Sequence, residues 1–222
     1  MLIASLPYPN RSRRLFGTAS CRIRSCNRAR PSGEGKRPIM PRSCRAVFLD
    51  RDGVLVVPRF RDGRSFAPRT LAQFEIYEEA PRCVRQLKDA GFKLVVVSNQ
   101  PDVGAGLVSR EVVEEMNVRL RRLMPLDAVK VCYHTKEQRC ACRKPLPGLL
   151  LEAAAEMGID LSASIMVGDR ASDIEAGAMA GCRTAFVDLG YTAEARPANP
   201  DKVAASLGEA TDWIRSLGSG AI

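Results

Sequence analysis

The chain has 222 residues and a formal net charge of +9 at pH 7, with eight cysteines and one histidine. No apolar run approaches the ~20 residues that a membrane-spanning helix needs, which predicts no association with a membrane. The charge is uneven: residues 1–45 hold 11 Lys and Arg against a single acid, Glu34, whereas residues 46–222 carry a net charge of −1. Residues 46–222 are enough to form one hydrophobic core. Because their net charge is close to zero, the sequence argues against a nucleic-acid-binding protein.

The basic extension, residues 1–43, is rich in Arg, Ser and Pro and is predicted to be disordered. Three interpretations of it stay open. It is a transit peptide, a basic arm that contacts anionic partners, or an in-frame stretch upstream of a natural start at Met40, which is the interpretation that we favour. No continuous apolar segment follows its charges, so it is not a secretory signal. The folded domain is predicted to cover residues 44–218.

The first predicted strand ends in two carboxylates, Asp50 and Asp52, and Gly53 then turns the chain. In an extended strand these acids lie on one face, close enough to share a cation. Two carboxylates at such a distance need a metal ion or a proton between them. The pattern therefore predicts a Mg²⁺ site or a nucleophile with an acid/base partner, and a solvated acidic turn is the alternative.

Strands and helices are then predicted to alternate along the chain. Residues 56–80 are expected to form a loop with one short strand at 74–77, followed by a helix at 81–90. An apolar strand at 92–97 ends in three polar residues, Ser98, Asn99 and Gln100. Further strands are predicted at 129–133, 163–167 and 184–187, and further helices at 109–123, 148–157 and 210–217. The run at 168–173 is predicted to open one more helix, which extends to about residue 179. This alternation predicts an α/β fold with a doubly wound parallel sheet.

Polar groups collect at the predicted carboxyl ends of these strands, which meet at one edge of a parallel sheet. They are Asp50, Asp52, Ser98, Asn99, Asp169 and Asp173, and Lys144 lies in a nearby turn. Such a set suits phosphate chemistry. Carboxylates hold Mg²⁺, a hydroxyl and a lysine bind phosphoryl oxygens, and one aspartate attacks phosphorus.

Four motifs together resemble those of the haloacid dehalogenase-like (HAD) phosphohydrolases. D-x-D-G occupies residues 50–53, Ser98 ends an apolar strand, Lys144 precedes a helix, and an acidic G-D-x₃-D run occupies residues 168–173. The resemblance covers residues 46–190 and implies a HAD-like Rossmannoid sheet. It implies an enzyme, a Mg²⁺-dependent phosphatase that acts on a small phosphorylated metabolite.

The resemblance also implies a mechanism. Asp50 forms an aspartyl-phosphate, while Asp52 protonates the leaving alcohol and then activates water. Mg²⁺ is held by the Asp50 carboxylate, the Asp52 backbone carbonyl and Asp169, and Ser98 and Lys144 stabilise the transferring phosphoryl group.

Asp173 has two possible roles in this scheme. It orients Lys144 or a metal-bound water, or it serves only as an acid in the first turn of a helix.

Three cysteines cluster around the single histidine: Cys132, His134, Cys140 and Cys142. This spacing suits tetrahedral Zn²⁺, and four protein ligands leave no open position, so a structural zinc is expected. It would hold the loop that presents Arg143 and Lys144. The alternative is a set of free thiols. A chain with eight cysteines and no secretion signal favours reduced thiols and a cytoplasmic setting.

The C-x-H and C-x-C-R-K-P pattern resembles the subgroup that contains heptose-bisphosphate phosphatases and the phosphatase domain of histidinol-phosphate enzymes. The resemblance implies that Arg143, Asn99 and Gln100 contact the substrate. The expected substrate is D-glycero-D-manno-heptose 1,7-bisphosphate, from which the 7-phosphate is removed. Histidinol phosphate and other sugar phosphates are alternatives, because Ala105 stands where an arginine is expected and the zinc spacing resembles the histidinol-phosphate side.

Only 48 residues separate Asp50 from Ser98, and 46 separate Ser98 from Lys144, too few for a large cap domain. A nearly capless site is expected, with the zinc loop and residues 58–61 as its walls. Arg59 and Arg61 are candidates to meet a distal anionic group, or they belong to a solvated basic loop. The protein is expected to be a monomer.

Other functional classes fit the sequence less well. A receiver domain would need its phosphorylated aspartate on a central strand, and the corresponding strand ends in Cys132. A catalytically inactive, zinc-stabilised binding module would lack at least one of Asp50, Asp52, Lys144 and Asp169, and all are present. A kinase or phosphomutase would need a cap or a nucleotide-binding motif.

Overall fold

The computed structural model describes residues 44–218. The basic extension at residues 1–43, including Met40, lies outside the described residues. Within the part that is described, no helix combines the length and the apolar character needed to cross a membrane.

The core of the fold is a six-stranded sheet in which every neighbouring pair of strands is parallel. Its strands are β1 (Ala46–Leu49), β4 (Lys93–Asn99), β5 (Ala128–Cys132), β6 (Ile165–Gly168), β7 (Arg183–Val187) and β8 (Lys202–Ala204). Their spatial order is β5-β4-β1-β6-β7-β8. The chain thus moves outward from β1 in both directions, which confirms the predicted doubly wound sheet.

Helices cover both faces of this sheet. They are α1 (Ala80–Asp89), the short α2 (Pro101–Gly104), α3 (Arg110–Leu123), α4 (Gly148–Met157), α5 (Ala171–Met179) and α6 (Leu207–Gly218). Alternate residues of β1 point to opposite faces, as the period of a strand requires. Val47 and Leu49 join a buried cluster with residues of α1, α3 and α6, whereas Ala46 and Phe48 join one with residues of α4 and α5. Each fully buried aliphatic side chain contributes about 1.5–3 kcal/mol.

Several helix boundaries follow from local sequence signals. Helix α3 begins after Ser109, whose hydroxyl accepts a hydrogen bond from the Val112 amide at 3.4 Å, and it ends two residues before Pro125. Helix α4 has the predicted bounds and ends at Gly158, which adopts a left-handed conformation with φ 64°.

The region between β1 and α1 differs from the prediction. Residues 74–77 do not form a strand: Ile76 makes a single antiparallel bridge to Val56, and a 3-10 helix at Leu71–Gln73 precedes it. A hairpin of β2 (Arg59–Arg61) and β3 (Arg64–Phe66) occupies part of the predicted loop. Its turn residues, Asp62 and Gly63, both have positive φ. Asp-Gly is a strong hairpin signal, but the flanking residues show no apolar alternation, so the hydrophobic pattern alone predicts a loop here.

Two further differences concern the sheet itself. Strand β5, which ends in Cys132 and was expected at a central position, forms one edge of the sheet. Strand β8, at the opposite edge, was not predicted, since its three residues are too few to show a hydrophobic period.

Candidate active site

Lys144 lies at the centre of a buried network of charges. Its Nζ is 2.7 Å from Asp50 Oδ1, 2.6 Å from Asp173 Oδ1 and 2.7 Å from the carbonyl oxygen of Val97. Asp50 follows β1, Val97 belongs to β4 and Asp173 lies in the first turn of α5. The carboxyl ends of neighbouring parallel strands therefore bring these groups together around one ammonium group.

The charges of this network depend on one another. Burial disfavours the ammonium group of Lys144, yet attraction to Asp173 and Asp50 raises its pKa. Burial raises the pKa of Asp173 to about 6, although Lys144 opposes the shift. Asp173 also accepts a hydrogen bond from the Arg170 backbone amide at 3.0 Å. Asp173 thus pairs with Lys144 and also accepts a backbone hydrogen bond in the first turn of α5, so it meets both of the roles that the sequence suggested.

Asp169 has a buried carboxylate oxygen without a partner. Its Oδ1 accepts no hydrogen bond, while its Oδ2 accepts one from the Tyr191 hydroxyl at 2.5 Å. Burial, together with the nearby Asp50 and Asp173 carboxylates, raises the pKa of Asp169. One oxygen from each of these three aspartates lies within 4.8 Å of the others. Clustered oxygen donors with an unpaired buried oxygen fit a hard divalent cation such as Mg²⁺.

Gly53 is required by this arrangement. Its φ is +100°, and a Cβ added there would lie 2.1 Å from Asp169 Oδ2. The turn after β1 therefore approaches Asp169 as closely as only a glycine allows.

Asp52 faces a different set of partners. Its Oδ2 accepts hydrogen bonds from Arg51 at 2.9 Å and from Gln100 Nε2 at 2.6 Å, and Gln100 also donates to Ser98 Oγ at 2.8 Å. Arg51 is fully buried, and a second bond of its guanidinium, 3.4 Å long, goes to Asn117 of α3. Sequence analysis missed Arg51, although an arginine inside a buried acidic strand end signals an ion pair.

Asn99 supports the network through the backbone. Its side-chain amide donates to the Lys144 carbonyl at 3.0 Å and accepts from the Lys144 amide at 3.1 Å. Asn99 was expected to contact the substrate. It lines the cavity, but its polar atoms hold the Lys144 peptide in place.

The four cysteine and histidine ligands predicted for zinc come together. Cys132 Sγ is 3.5 Å from Cys140 Sγ and 3.6 Å from His134 Nδ1, while Cys142 Sγ is 3.3 Å from each of those two atoms. A tetrahedral site with Zn–S of ~2.3 Å and Zn–N of ~2.0 Å has edges of roughly 3.5–3.8 Å. The group can therefore hold a metal ion.

The thiols of this group interact strongly. Burial, followed by the contacts with Cys132 and Cys140, raises the pKa of Cys142 to about 12. For Cys140, burial acts against ionisation, but hydrogen bonds from Cys142 and Cys132 lower the pKa to about 7. One thiolate supported by neighbouring thiols is a typical arrangement of a soft metal site.

A cavity of about 760 Å³ opens above the Lys144 network. Seven of the predicted site residues line it: Asp50, Asp52, Asn99, Gln100, Cys140, Arg143 and Lys144. Ser98 and Asp169 are almost completely buried and are not part of the lining.

Arg59 and Arg61, which were candidates for a distal anionic group, do not line the cavity. All three residues of β2 are exposed, and the Arg61 guanidinium lies over the Phe66 ring at 4.9 Å. The hairpin turn places Arg64 of β3 on the cavity instead.

One side of the cavity is made by segments that are distant in sequence. Arg170 donates to the Ser65 carbonyl at 2.6 Å and lies 3.4 Å from Glu194 Oε2, and Glu194 Oε1 accepts from the Ser65 amide at 3.0 Å. The Phe60 and Tyr191 rings pack at 5.0 Å between centroids. These contacts attach the β2–β3 hairpin to the site, and no sequence motif predicted them.

Comparison with known proteins places this site in a family. The HAD-hydrolase-like family model matches residues 141–210. A D-glycero-beta-D-manno-heptose-1,7-bisphosphate 7-phosphatase of Yersinia pestis is 35% identical over 147 residues, which are 61% of this chain and 75% of that protein. The chain belongs to the HAD-like phosphatases. The protein of the same name from Escherichia coli K12 is 34% identical over 61% of this chain and 74% of its own length.

A solved structure of this HAD family agrees with the fold. D,D-heptose 1,7-bisphosphate phosphatase of B. bronchiseptica, complexed with magnesium and phosphate, superposes with a TM-score of 0.68 at 25% identity, over 78% of this chain and 99% of that one. The chain is therefore a hydrolase that acts on phosphate esters, as the motifs predicted.

Proposed function

We propose that this HAD phosphatase removes the 7-phosphate of D-glycero-D-manno-heptose 1,7-bisphosphate through an aspartyl-phosphate on Asp50. The names of its relatives support this substrate. The observation that carries the proposed chemistry is the buried Asp50–Lys144–Asp173 network beside the unpartnered Oδ1 of Asp169.

In the first half-reaction the Asp50 carboxylate attacks phosphorus and the bond to the sugar oxygen breaks. Asp52 donates a proton to the departing oxygen, and Arg51 and Gln100 orient its carboxyl group. In the second half-reaction Asp52 takes a proton from the water that releases phosphate from Asp50.

Lys144 and Ser98 are proposed to bind phosphoryl oxygens and offset the charge of the transition state. Lys144 is already held in place by Asp173 and by its contact with Val97. The Ser98 hydroxyl reaches the phosphoryl group when Gln100 exchanges its 2.8 Å bond to Ser98 for one to the substrate. Arg143, which lines the cavity, binds the substrate from the loop side.

Two metal ions are proposed. Asp50, Asp169 and the Asp52 backbone carbonyl would hold Mg²⁺, which would supply positive charge opposite the phosphoryl oxygens. The four ligands of the cysteine and histidine cluster would hold Zn²⁺ and leave no position for a substrate, so a zinc ion there would support the loop that carries Arg143 and Lys144.

We also propose the functional unit, the oligomeric state and the location of the enzyme. The functional unit is the domain of residues 44–218, and it acts as a monomer on a small metabolite rather than on nucleic acid or a membrane. Reduced thiolates in the zinc cluster support a cytoplasmic location.

Histidinol phosphate is the second candidate substrate. Five residues separate His134 from Cys140, a spacing that resembles the histidinol-phosphate enzymes, and no arginine stands at Ala105.

A panel of substrates separates these candidates. Phosphate release is measured with Mg²⁺ on both anomers of the heptose bisphosphate, on histidinol phosphate and on sugar monophosphates. We expect the highest kcat/KM on one heptose bisphosphate anomer. A preference for histidinol phosphate would overturn the substrate and keep the chemistry. Failure to release phosphate from any of them, with the fold intact, would favour the inactive binding module.

A further inference from the structure

Besides Arg143, which the proposed function already assigns to the substrate, three cations on the cavity have no acidic partner. Arg64, Lys136 and Arg139 line the cavity, and none of them forms an ion pair with a carboxylate anywhere in residues 44–218. Other cations around the same cavity are paired: Arg170 with Glu194, and Lys144 with the aspartates of the network. Uncompensated positive charge that faces a concave site attracts anionic ligands.

Two of these cations belong to the loop that joins the metal-binding cysteines. Lys136 and Arg139 are exposed and lie between His134 and Cys140, so the cysteine and histidine cluster anchors the loop at both ends. The Arg139 amide donates to the Lys136 carbonyl at 3.4 Å, which closes a turn between them.

The backbone of Arg139 is unusual. Its φ is +44°, in the left-handed region of the backbone that residues other than glycine seldom adopt. Such conformations occur in exposed turns, as at Asp62, and they cluster at ligand-binding sites. Arg139 is the one of these two residues that lines the cavity.

The α2 segment of the cavity lining offers no free cation. Pro101 and Asp102 line the cavity there, and Asp102 is already paired with Arg69 at 2.6 Å. Ala105 adds no cation to this segment. A second anionic group on a bound substrate therefore finds free positive charge on the side of the cysteine-rich loop and the hairpin.

We propose that Lys136, Arg139 and Arg64 form a distal anion subsite, which binds a second phosphate or a carboxylate of the substrate while the reacting phosphate lies at Asp50. This inference rests on the proposed function only for the place of the reacting phosphate. It makes the subsite a determinant of specificity, because a substrate with one anionic group gains nothing from these three cations.

The test compares each substrate with its partner that lacks the second phosphate. Heptose 1,7-bisphosphate is paired with heptose 7-phosphate, and fructose 1,6-bisphosphate with fructose 6-phosphate. For Lys136→Gln and Arg139→Gln we expect KM on the bisphosphates to rise about tenfold with kcat nearly unchanged. KM on the monophosphates should stay within about twofold of the unaltered enzyme.

Further variants separate charge from backbone strain. Arg139→Gly keeps the left-handed conformation at no steric cost and removes the cation, so it should match Arg139→Gln. Arg139→Lys should restore most of the preference for bisphosphates. The matched control is Arg121→Gln, an exposed arginine of α3 away from the cavity, which should leave both KM values unchanged.

Two results would overturn the subsite: an equal loss on mono- and bisphosphates, or no change on either. A phosphorylated sugar acid that shows the same sensitivity as a bisphosphate assigns the subsite to anions in general, whereas insensitivity restricts it to phosphate. If no heptose is a substrate, the proposed function fails, but the fructose pair still tests the subsite.

Discussion

Two clusters of metal-ligand type lie within residues 44–218 of this phosphatase, and they differ in almost every physical property. Asp50, Asp169 and Asp173 offer only oxygen, are buried, and share their space with an ammonium group. The cysteine and histidine cluster offers sulfur and nitrogen, and three of its four residues are partly or fully exposed. Carboxylate oxygens suit Mg²⁺, and thiolates suit Zn²⁺.

The difference shows that the two clusters at this edge of the sheet have separate roles. In the proposed function, the aspartate cluster takes part in catalysis, and the cysteine and histidine cluster stabilises the structure. The aspartate cluster faces the cavity through Asp50 and Asp173, so its ligands can also meet a substrate. The cysteine and histidine cluster provides four ligands for four tetrahedral positions, so a metal ion bound there has no coordination position left for a substrate. Loss of the first should abolish activity and spare the fold, whereas loss of the second should destabilise the fold, including the loop that carries Lys144.

The largest effect is expected at the nucleophile. Asp50→Asn should lower kcat at least about 1,000-fold, because the amide cannot attack phosphorus. The melting temperature should change little, since the amide oxygen can still accept from Lys144. The measurement is phosphate release beside a thermal melt. Asp62→Asn, in the exposed hairpin turn, is the matched control and should keep full activity. Residual activity within tenfold of the unaltered enzyme would remove Asp50 from the reaction.

The cysteine and histidine cluster should contribute strongly to the stability of the fold. Cys140→Ser should lower the free energy of unfolding by at least about 4 kcal/mol, because a structural metal is lost. For a domain of this size the melting temperature should fall by roughly 10 °C or more. Metal analysis should find one zinc in the unaltered protein and none in the variant.

Cys182→Ala is the control for the cysteine and histidine cluster, since it removes a buried thiol away from it. It should keep the zinc and lose far less stability. A Cys140→Ser protein that melts like the unaltered one would mean that the cluster holds no structural metal.

The smallest effect is expected at Tyr191, which donates to Asp169 Oδ2 and leaves Oδ1 for the metal. Tyr191→Phe should weaken Mg²⁺ binding about tenfold, since partners of metal ligands orient them. Calorimetric titration with Mg²⁺ measures this directly, and kcat at saturating Mg²⁺ should remain close to normal. Tyr133→Phe removes a similar hydroxyl–carboxylate bond, to Glu114, and should leave Mg²⁺ binding unchanged. Equal affinities in all three proteins would show that Tyr191 does not support the metal site.

Much of the site was predictable because its parts obey local rules. Asp50, Asp169 and Lys144 follow strands or a cysteine motif, and the ends of parallel strands meet at one edge whatever the intervening sequence. The spacing of Cys132, His134 and the later cysteines is likewise local.

Other features were missed because they depend on neighbours in space. Arg64 rather than Arg59 or Arg61 faces the cavity, which is decided by the turn of an exposed hairpin whose residues carry no apolar period. Asn99 has the predicted position, but its amide is used by the Lys144 peptide 45 residues away.

The sequence by itself determined the alternation of strands and helices, the acids at the ends of the strands and the metal-type cysteine motif. Each of these arises from residues close together in the chain. Only the tertiary structure decided that Arg170 and Glu194 attach the hairpin and that Tyr191 reaches Asp169. Those contacts join residues 22 to 129 positions apart, and their partners are chosen by the packing of loops over the sheet edge, which no local periodicity encodes.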